Sequence, residues 1–423
     1  MIRKVYERSK TVNLAGVEIR VGELLNASPR YWMFVGALGV MLALFLAAWI
    51  TLLTKGGEVL AGRDVYPWGL WFVDYMFYVG LSAGGLVVYS SVHLFGAKKF
   101  EPLSRLAVLQ GFVFVTMALL CIVTDMERPW RAINFLLSPN LTAPFIYTGS
   151  ALNIYMIVCG LDLWILMARK GGERLALTMT LIALPTAVYM HSTTAWVLAL
   201  NKARELWNAA MMVPIFLSSA TGSGISLLFL FAYAFQKVTR VKFKKSMFRS
   251  LATLLATVIA VDLFLLFVEI VTVFWPTAAK PGHTIRLAEF FVGKYAVLFL
   301  PFLTIGVTAF ILLAGRKNRD SSKIHIIACS LYVFGVFLKR FSLMAMGFSI
   351  SPIGQVRGFY LPSLVEILIA LGIVSVGLLI ITLAIKLLPL EVTEEEEHHE
   401  VHEEFVRGLP DGAIVASPLE ENQ

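Results

Sequence analysis

Hydrophobic residues run along this chain in ten long and nearly uninterrupted stretches. Each stretch exceeds twenty residues, and none alternates apolar with polar positions as a membrane-barrel strand does. A helix needs about 20 apolar residues to cross ~30 Å of hydrocarbon. The pattern therefore predicts ten transmembrane helices, near residues 31–54, 67–95, 103–125, 142–168, 175–200, 210–236, 248–276, 290–315, 322–348 and 360–388.

The composition agrees with a membrane protein. Hydrophobic residues make up 58% of the chain and charged residues 15%, with a mean hydropathy of +0.77. Soluble domains carry about 25% charged residues. The predicted fold class is all-α, a polytopic membrane protein surrounded by lipid.

Lys and Arg are concentrated in every second loop. The loops at 96–105, 169–174, 237–249 and 316–323 hold three, three, six and four of them, and each intervening loop holds one or two. Basic loops stay on the cytoplasmic side of a membrane. We therefore predict a multi-pass protein of the cytoplasmic membrane with both termini in the cytoplasm. Because this placement explains the basic residues, no nucleic-acid partner is predicted.

An internal repeat divides the membrane domain, residues 31–390. Gly80-Leu-Ser-Ala-Gly-Gly85 in the second stretch resembles Ser218-Ser-Ala-Thr-Gly-Ser-Gly224 in the sixth, four helices later and therefore running in the same direction. Close helix packing is the usual role of such small residues, although a transporter repeat would look similar. We predict two four-helix bundles, over 67–200 and 210–348, with one flanking helix at each end.

The two ends of the chain lie outside this domain. Residues 1–30 are predicted to form a cytoplasmic N-terminal segment. Residues 391–423 hold 11 of the 28 acidic residues and are predicted to form an acidic cytoplasmic tail.

Ionisable side chains within the stretches are costly, so each is a functional candidate. Asp262 and Glu269 lie seven residues apart, which places them on one helix face ~10 Å apart and suits a proton relay. The alternative is a structural salt bridge from Glu269 to Lys339 or Arg340. The full set of proton-path candidates is Asp262, Glu269, Lys339, Arg340, Glu366 and Asp162.

His191 is the candidate for chemistry at the outer side. It lies about four turns into the fifth stretch, and a neutral imidazole can take a proton from a quinol hydroxyl near neutral pH. In the predicted site His191 exchanges this proton and Asp74 orients the quinol or carries the proton onward. Trp71, Tyr78 and Trp196 are predicted to wall the ring, and Ser82 is the remaining predicted quinone-binding residue.

The sequence predicts no haem, iron–sulfur cluster or metal on this chain. Cys121, Cys159 and Cys329 stand singly in separate stretches, without the paired spacing of a cluster or zinc site. His93 and His325 are the one pair at matching depth for a haem. Redox carriers are therefore expected on other subunits.

The outer loop over 126–141 is the predicted docking surface for a partner. Sixteen residues are more than a turn between two helices needs, and the prolines of this loop favour a defined conformation. The residues expected to contact the partner are Asp125, Arg128, Trp130 and Arg131.

Several motifs together resemble the NrfD/polysulfide-reductase family of membrane subunits. They follow the family's order through most of the membrane region: Pro67-Trp-Gly-Leu-Trp71 leading into residues 79–85, Asp125-Met-Glu-Arg-Pro-Trp130, His191-Ser-Thr-Thr-Ala-Trp196, Trp207-Asn208 with residues 219–224, and Tyr360-Leu-Pro-Ser-Leu-Val-Glu366. Ten helices resemble the branch that includes the sulfite-reductase-associated DsrP/HmeB subunits. Two departures are Val197, where some relatives have Asp, and the Met126-Glu127 pair.

The resemblance implies a menaquinone- or quinone-binding subunit without a redox cofactor of its own. It implies an outer-face ferredoxin-like iron–sulfur partner, with a multihaem cytochrome c and a second membrane subunit with haem b as further partners, and a role in sulfur metabolism. Proton translocation is an additional expectation. A secondary transporter with a midplane site and a structural anchor that binds no quinone remain alternatives.

Overall fold

A computed structural model describes residues 11–25, 27–62, 66–168, 173–204, 206–239, 241–274, 293, 296–349 and 360–390. Ten long helices occupy most of this part of the chain. We number them α1 (Pro29–Lys55), α2 (Leu70–Phe95), α3 (Ser104–Asp125), α4 (Pro144–Ala168), α5 (Glu173–Ala199), α6 (Met212–Val238), α7 (Lys245–Phe274), α8 (Ala296–Ala314), α9 (Ser322–Ser349) and α10 (Leu364–Leu387).

These helices confirm the predicted all-α membrane architecture. Within the described residues, nine are long and apolar enough to cross a membrane, and α8 contributes a shorter apolar segment over Phe299–Ala314. The protein is thus a multi-pass integral membrane protein. The predicted spans coincide with the helices to within a few residues, except that the predicted end of the seventh span and the predicted start of the eighth lie outside the described residues. The acidic tail and residues 1–10 also lie outside them.

Local sequence explains where the helices begin and end. The Ser28 hydroxyl accepts a hydrogen bond from the Tyr31 N–H, and Pro29 occupies the first turn of α1, where its missing N–H costs nothing. Gly56 ends α1 with a φ of +67°, and Gly96 ends α2 with a φ of +64°. Glycine adopts this left-handed conformation without the strain of a Cβ.

The helices pack as two four-helix bundles. In the first bundle α2, α3, α4 and α5 contact one another in a closed ring, and in the second bundle α6, α7, α8 and α9 do the same. The bundles meet through α2 on α6, with α5 also contacting α6 and α9 contacting α2. Helices α1 and α10 pack together, and α10 lies against α3, so both flanking helices join the first bundle.

The bundles approach each other closely at the small residues of the internal repeat. A Cβ built on Gly84 would collide with the backbone of Gly224, and one built on Gly224 would collide with Gly84. One turn away, Gly80 lies against Ala220. The side chain of Gln110 on α3 fastens the crossing, since its Nε2 donates to the carbonyl oxygens of Leu81 (2.8 Å) and Gly224 (2.9 Å). Glycine allows the two backbones to come this close.

The two ends of the assembly differ in chemistry. We call the end that carries Trp68, Trp130 and Trp207 the Trp-rich end, and the end formed by the loops rich in Lys and Arg the basic end. At the basic end a two-stranded antiparallel hairpin, β1 (Thr11–Leu14) and β2 (Val17–Arg20), packs near the end of α4, where the Trp164 Nε1 donates to the Ala15 carbonyl. The sequence reasoning missed this hairpin.

Candidate functional site

His191 is held inside the first bundle with one ring nitrogen engaged. Its Nδ1 lies 2.7 Å from the Ala187 carbonyl oxygen, one turn earlier on α5. A carbonyl oxygen can only accept, so Nδ1 carries the proton, and Nε2 of the neutral ring presents a lone pair. The side chain is 2% exposed, and Nε2 has no hydrogen-bond partner among the described residues. The site therefore contains a buried hydrogen-bond acceptor.

A hydroxyl pair fixes the face of α5 that carries His191. The Tyr75 hydroxyl on α2 lies 2.9 Å from the Thr194 Oγ1, three residues after His191 and therefore on the same side of α5. Thr194 uses its own proton on the Met190 carbonyl (2.9 Å), so Tyr75 is the donor. His191 lies on this same side of α5 and interacts with the Val79 backbone of α2.

Asp74 lies on a neighbouring face of α2. Its side chain is 4% exposed, and its Oδ2 has no hydrogen-bond partner among the described residues. It interacts electrostatically with Tyr78 on the same helix and with Cys121 on α3. Asp74 thus faces α3, whereas Tyr75, the next residue, faces α5.

The other predicted ring-lining residues point in several directions. Tyr78 is 5% exposed and packs beside Phe114 of α3, and Ser82 is fully buried, with its hydroxyl bonded to the Val79 carbonyl. Trp196 is 37% exposed. It follows His191 by five residues, which is a rotation of roughly 140° around the helix. The structure therefore does not bring all predicted lining residues onto one surface.

Trp71 faces α10 and takes part in a polar junction there. Its Nε1 donates to the backbone carbonyl of Glu366 (3.2 Å). The Glu366 carboxylate accepts from the Tyr360 hydroxyl (2.6 Å), the Ser363 N–H (2.7 Å) and the Ala61 N–H (3.1 Å). Tyr360 in turn accepts from the N–H at the start of α2, Leu70 (2.7 Å). Glu366, predicted in a proton path, completes the capping box of α10 and accepts these three hydrogen bonds in this structure.

Gly69 explains why two distant motifs meet at this junction. A Cβ at Gly69 would collide with the Glu366 carboxylate and would approach the Tyr360 hydroxyl to 2.8 Å. A glycine is therefore needed where the Pro67-to-Trp71 motif packs against the Tyr360-to-Glu366 motif.

An aromatic cluster closes the Trp-rich end near these motifs. Trp68 stacks on Trp207 with ring centroids 6.1 Å apart, and both rings contact Phe348 at the end of α9. The Trp207 Nε1 donates to the Leu343 carbonyl (2.9 Å), and Arg204 lies over the Phe348 ring. These tryptophans join the two bundles.

A buried ion pair lies in the second bundle. The Lys339 Nζ is 2.8 Å from the Asp262 Oδ1, with the two side chains 9% and 5% exposed. Asp262 also accepts from the Ser218 hydroxyl (2.9 Å) and the Tyr332 hydroxyl (3.0 Å). The sequence placed Asp262 and Lys339 among its candidates but missed Tyr332 and Ser218. Tyr332 lies seven residues before Lys339, two turns along one face of α9, which was the available signal.

Arg340 follows Lys339 and points towards α6. Its Nη2 donates to the Ser219 hydroxyl (2.7 Å), and its guanidinium lies 3.6 Å from the centroid of the Phe216 ring. The residue is 1% exposed, and its Nε and Nη1 have no partner among the described residues.

The remaining proton-path candidates lie apart from this cluster. Glu269 is half-buried and makes no ion pair with another described residue, so in this structure Lys339 pairs with Asp262 and not with Glu269. Asp162 is buried near the basic end of α4, beside Tyr89 of α2. The structure does not join Asp162 to the cluster of the second bundle.

The predicted docking residues lie on the surface of the Trp-rich end. Asp125 ends α3, and Arg128, Trp130 and Arg131 follow in or beside the 3₁₀ turn Pro129–Ile133, all exposed. Trp130 is 67% exposed. In the described part of the chain, no group of three or more His, Cys, Asp or Glu side chains is placed to hold a metal.

A comparison with known protein families shows to which family the chain belongs. The family model described as "Polysulphide reductase, NrfD" matches residues 58–352. The chain belongs to the NrfD family. The match includes the Gly69, His191 and Trp207 motifs, so the predicted resemblance is confirmed.

Relatives of this NrfD-family chain are subunits of redox enzymes by name. It is 28% identical over 402 residues to a putative dimethyl sulfoxide reductase membrane subunit of Halobacterium salinarum, covering 86% of this chain and 92% of that protein. It is 24% identical to a selenate reductase subunit of Mesobacillus selenatarsenatis (83% and 92% covered). It is 25% identical to the Hdr-like menaquinol oxidoreductase integral membrane subunit of Archaeoglobus fulgidus (87% and 97% covered).

Proposed function

We propose that this protein is the quinone-reactive membrane subunit of a respiratory redox complex. The observation that carries the proposal is the buried, unpartnered Nε2 of His191, which is oriented as an acceptor by the bond from Nδ1 to Ala187. Membership of the NrfD family and the relative named for menaquinol oxidoreduction support it. Menaquinone is the quinone that we propose.

The chemistry follows from what quinol oxidation must release. Conversion of a quinol to a quinone breaks two O–H bonds and gives up two protons and two electrons. We propose that His191 Nε2 accepts one proton and that Asp74, which faces α3 with its Oδ2 unpartnered among the described residues, carries the second proton onward. The electrons pass to a carrier on a partner subunit. In the reverse direction the same groups supply the protons for quinone reduction.

Partner subunits are part of this proposal. The exposed 3₁₀ turn Pro129–Ile133 and Arg128 form the proposed docking surface at the Trp-rich end, for a ferredoxin-like iron–sulfur subunit. A cytochrome c and a haem-b membrane subunit are the further partners that we propose. The Trp-rich end then faces outwards and the basic end faces the cytoplasm, where Lys and Arg are retained.

We also propose that protons move through the second bundle. Glu269 lies between the Asp262 cluster and the Trp-rich end of α7 and is half-buried. A Glu269→Gln complex in vesicles should keep quinone turnover and lose part of its membrane potential. If the Glu269→Gln complex and the parent complex generate the same membrane potential, the acids of this bundle have a structural role.

The proposed function is tested by His191→Gln in the assembled complex. Gln keeps a polar side chain but cannot take up the proton, so quinone-dependent turnover should fall at least about 100-fold. Turnover with an artificial electron carrier that bypasses quinone should stay unchanged. Full quinone turnover in this variant would contradict the proposal.

His325→Gln is the matched control. His325 is also 1% exposed, with Nδ1 engaged by the Tyr233 hydroxyl (2.9 Å) and Nε2 unpartnered among the described residues, but it lies near the start of α9 at the basic end. Its replacement should leave quinone turnover within about twofold of the parent. A loss in both variants would point to general damage and not to a site at His191.

A further inference from the structure

Two buried cations of the second bundle, Lys339 and Arg340, interact with a single carboxylate. Lys339 forms an ion pair with Asp262, and Arg340 interacts electrostatically with the same carboxylate. Tyr332 donates its proton to Asp262 and is therefore neutral. Two cations thus share one carboxylate, which leaves the cluster with one excess positive charge.

The guanidinium nitrogens of Arg340 that have no hydrogen-bond partner in the described part of the chain show where a counter-charge can bind. Nη2 is engaged by Ser219, while Nε and Nη1 have no partner among the described residues. Phe216 covers one face of the guanidinium plane at 3.6 Å. A ligand must therefore approach in the plane, along the N–H bonds. Buried ions normally have both a counter-charge and saturated donors.

The charge of Arg340 also reaches the first bundle. Arg340 interacts electrostatically with His191 of α5. The unengaged donors of Arg340 therefore belong to a region where the two bundles influence each other.

We propose that Arg340 binds a small monovalent anion inside the second bundle, between α6 and α9. The charge of the site requires an anion, because a neutral ligand would leave the excess charge uncompensated. The residue is 1% exposed and its neighbours Ser219 and Phe216 are equally buried, which favours a small ion over a bulky headgroup. Chloride is the probe. Because Arg340 interacts electrostatically with His191, the test uses thermal unfolding, which needs no quinone turnover and can fail separately from the proposed function.

The test is thermal unfolding of the purified complex in sodium chloride and in sodium gluconate at equal ionic strength. Binding to the folded state raises Tm in a saturable way, so chloride should add at least about 2 °C. Arg340→Met should remove this gain. Arg204→Met is the matched control, because Arg204 also lies over a phenylalanine but donates to the carbonyls of Gly347 and Phe348. It should retain the chloride response.

A second variant keeps the test decisive if Arg340→Met does not fold. Ser219→Asp places a carboxylate next to Nη2 and supplies an internal counter-charge. The chloride response should vanish, with Tm in gluconate rising to the level of the parent in chloride. Ser219→Asn has the same size without the charge and should still respond to chloride.

Direct location of the ion completes the experiment. Crystals of the complex in sodium bromide should show bromide beside Arg340 by its anomalous scattering. Electron microscopy of the complex in sodium bromide should show a density peak at the same place, and chloride should be able to replace this ion. A water molecule at that place, or a chloride response that survives in Ser219→Asp and Arg340→Met, would overturn the proposal.

Discussion

The Asp262–Lys339 pair shows what a single charge requires inside this protein. Both side chains are more than 90% buried, and Asp262 accepts three hydrogen bonds. Breaking a buried pair leaves the partner charged, without water and without compensation, which typically costs roughly 3–5 kcal/mol. The pair therefore holds α7 to α9 only as long as both members are present.

Asp262→Asn should consequently lower the unfolding free energy of the complex by about 3–5 kcal/mol. Asp262→Asn combined with Lys339→Met removes both charges and should recover most of that loss. Denaturant unfolding followed by tryptophan fluorescence checks both variants. A double variant as unstable as the single one would show that the ion pair is not the source of the effect.

Residue types could be predicted from the sequence, but side-chain directions could not. His191, Asp74, Asp262 and Lys339 stand out because ionisable groups are rare in apolar stretches. The grouping of Trp196 with His191 rested on nearness along the chain, and the structure places Trp196 at 37% exposure. Rotation about a helix axis is set by partners on other helices, such as Tyr75 for α5. The amino-acid sequence alone does not show which residues of other helices are these partners.

At the scale of elements, the contact of α2 with α6 organises the molecule. Gly84 and Gly224 touch backbone to backbone, and Gln110 bonds to carbonyls on both helices. A side chain at either glycine must push the helices apart or distort them. The effect of a substitution here should therefore spread to both bundles.

Gly84→Ala should lower stability by about 1–3 kcal/mol through overpacking, since its Cβ would meet backbone atoms that cannot rotate away. Gly39→Ala on α1 is the matched control, because a Cβ there meets nothing within 4 Å. The control should be neutral or stabilised by up to about 1 kcal/mol, as expected for Ala in a helix. Equal Tm values for the two variants would contradict this account of the crossing.

Element positions were predictable where the physics is local. Twenty apolar residues fix a span, and Ser28 or Gly96 fixes an end. The repeat also suggested the small-residue contact before the structure showed Gly84 on Gly224. The pairing of α1 with α10 was not predictable, because their surfaces are apolar on most sides and the chain separates them by some 300 residues. The hairpin at Ala15 was missed, although Thr11–Leu14 and Val17–Arg20 alternate polar with apolar residues, because it is too short to form a hydrophobic stretch.

At the scale of the whole molecule, the two ends have different surfaces. The Trp-rich end exposes Trp130, Ile133 and Leu137 beside Arg128 and Arg131. Exposed aromatic and Arg side chains are typical of interface anchors. The basic end carries scattered cations, which the proposed cytoplasmic position of this end would explain. The described helices are continuous through Pro185 and Pro214, so the broken helices of a secondary transporter are not seen there.

Arg128→Glu with Arg131→Glu should release the proposed partner while the membrane protein stays folded. The charge reversal replaces attraction by repulsion at an exposed surface, where folding energies change little. Affinity purification with quantification of the co-purified proteins measures this. Lys99→Glu with Lys317→Glu at the basic end is the control and should retain the partner. Retention in both double variants would move the docking surface elsewhere.

The central claim is that quinone reacts in the first bundle beside His191, towards the Trp-rich end. Photolabelling of the assembled complex with an azido-menaquinone, followed by peptide mapping, tests it most directly. The account predicts label on α5 between Ala187 and Trp196 or on the facing part of α2, suppressed by excess menaquinone. The account would be contradicted if the label that excess menaquinone suppresses were found only in the second bundle or at the basic end.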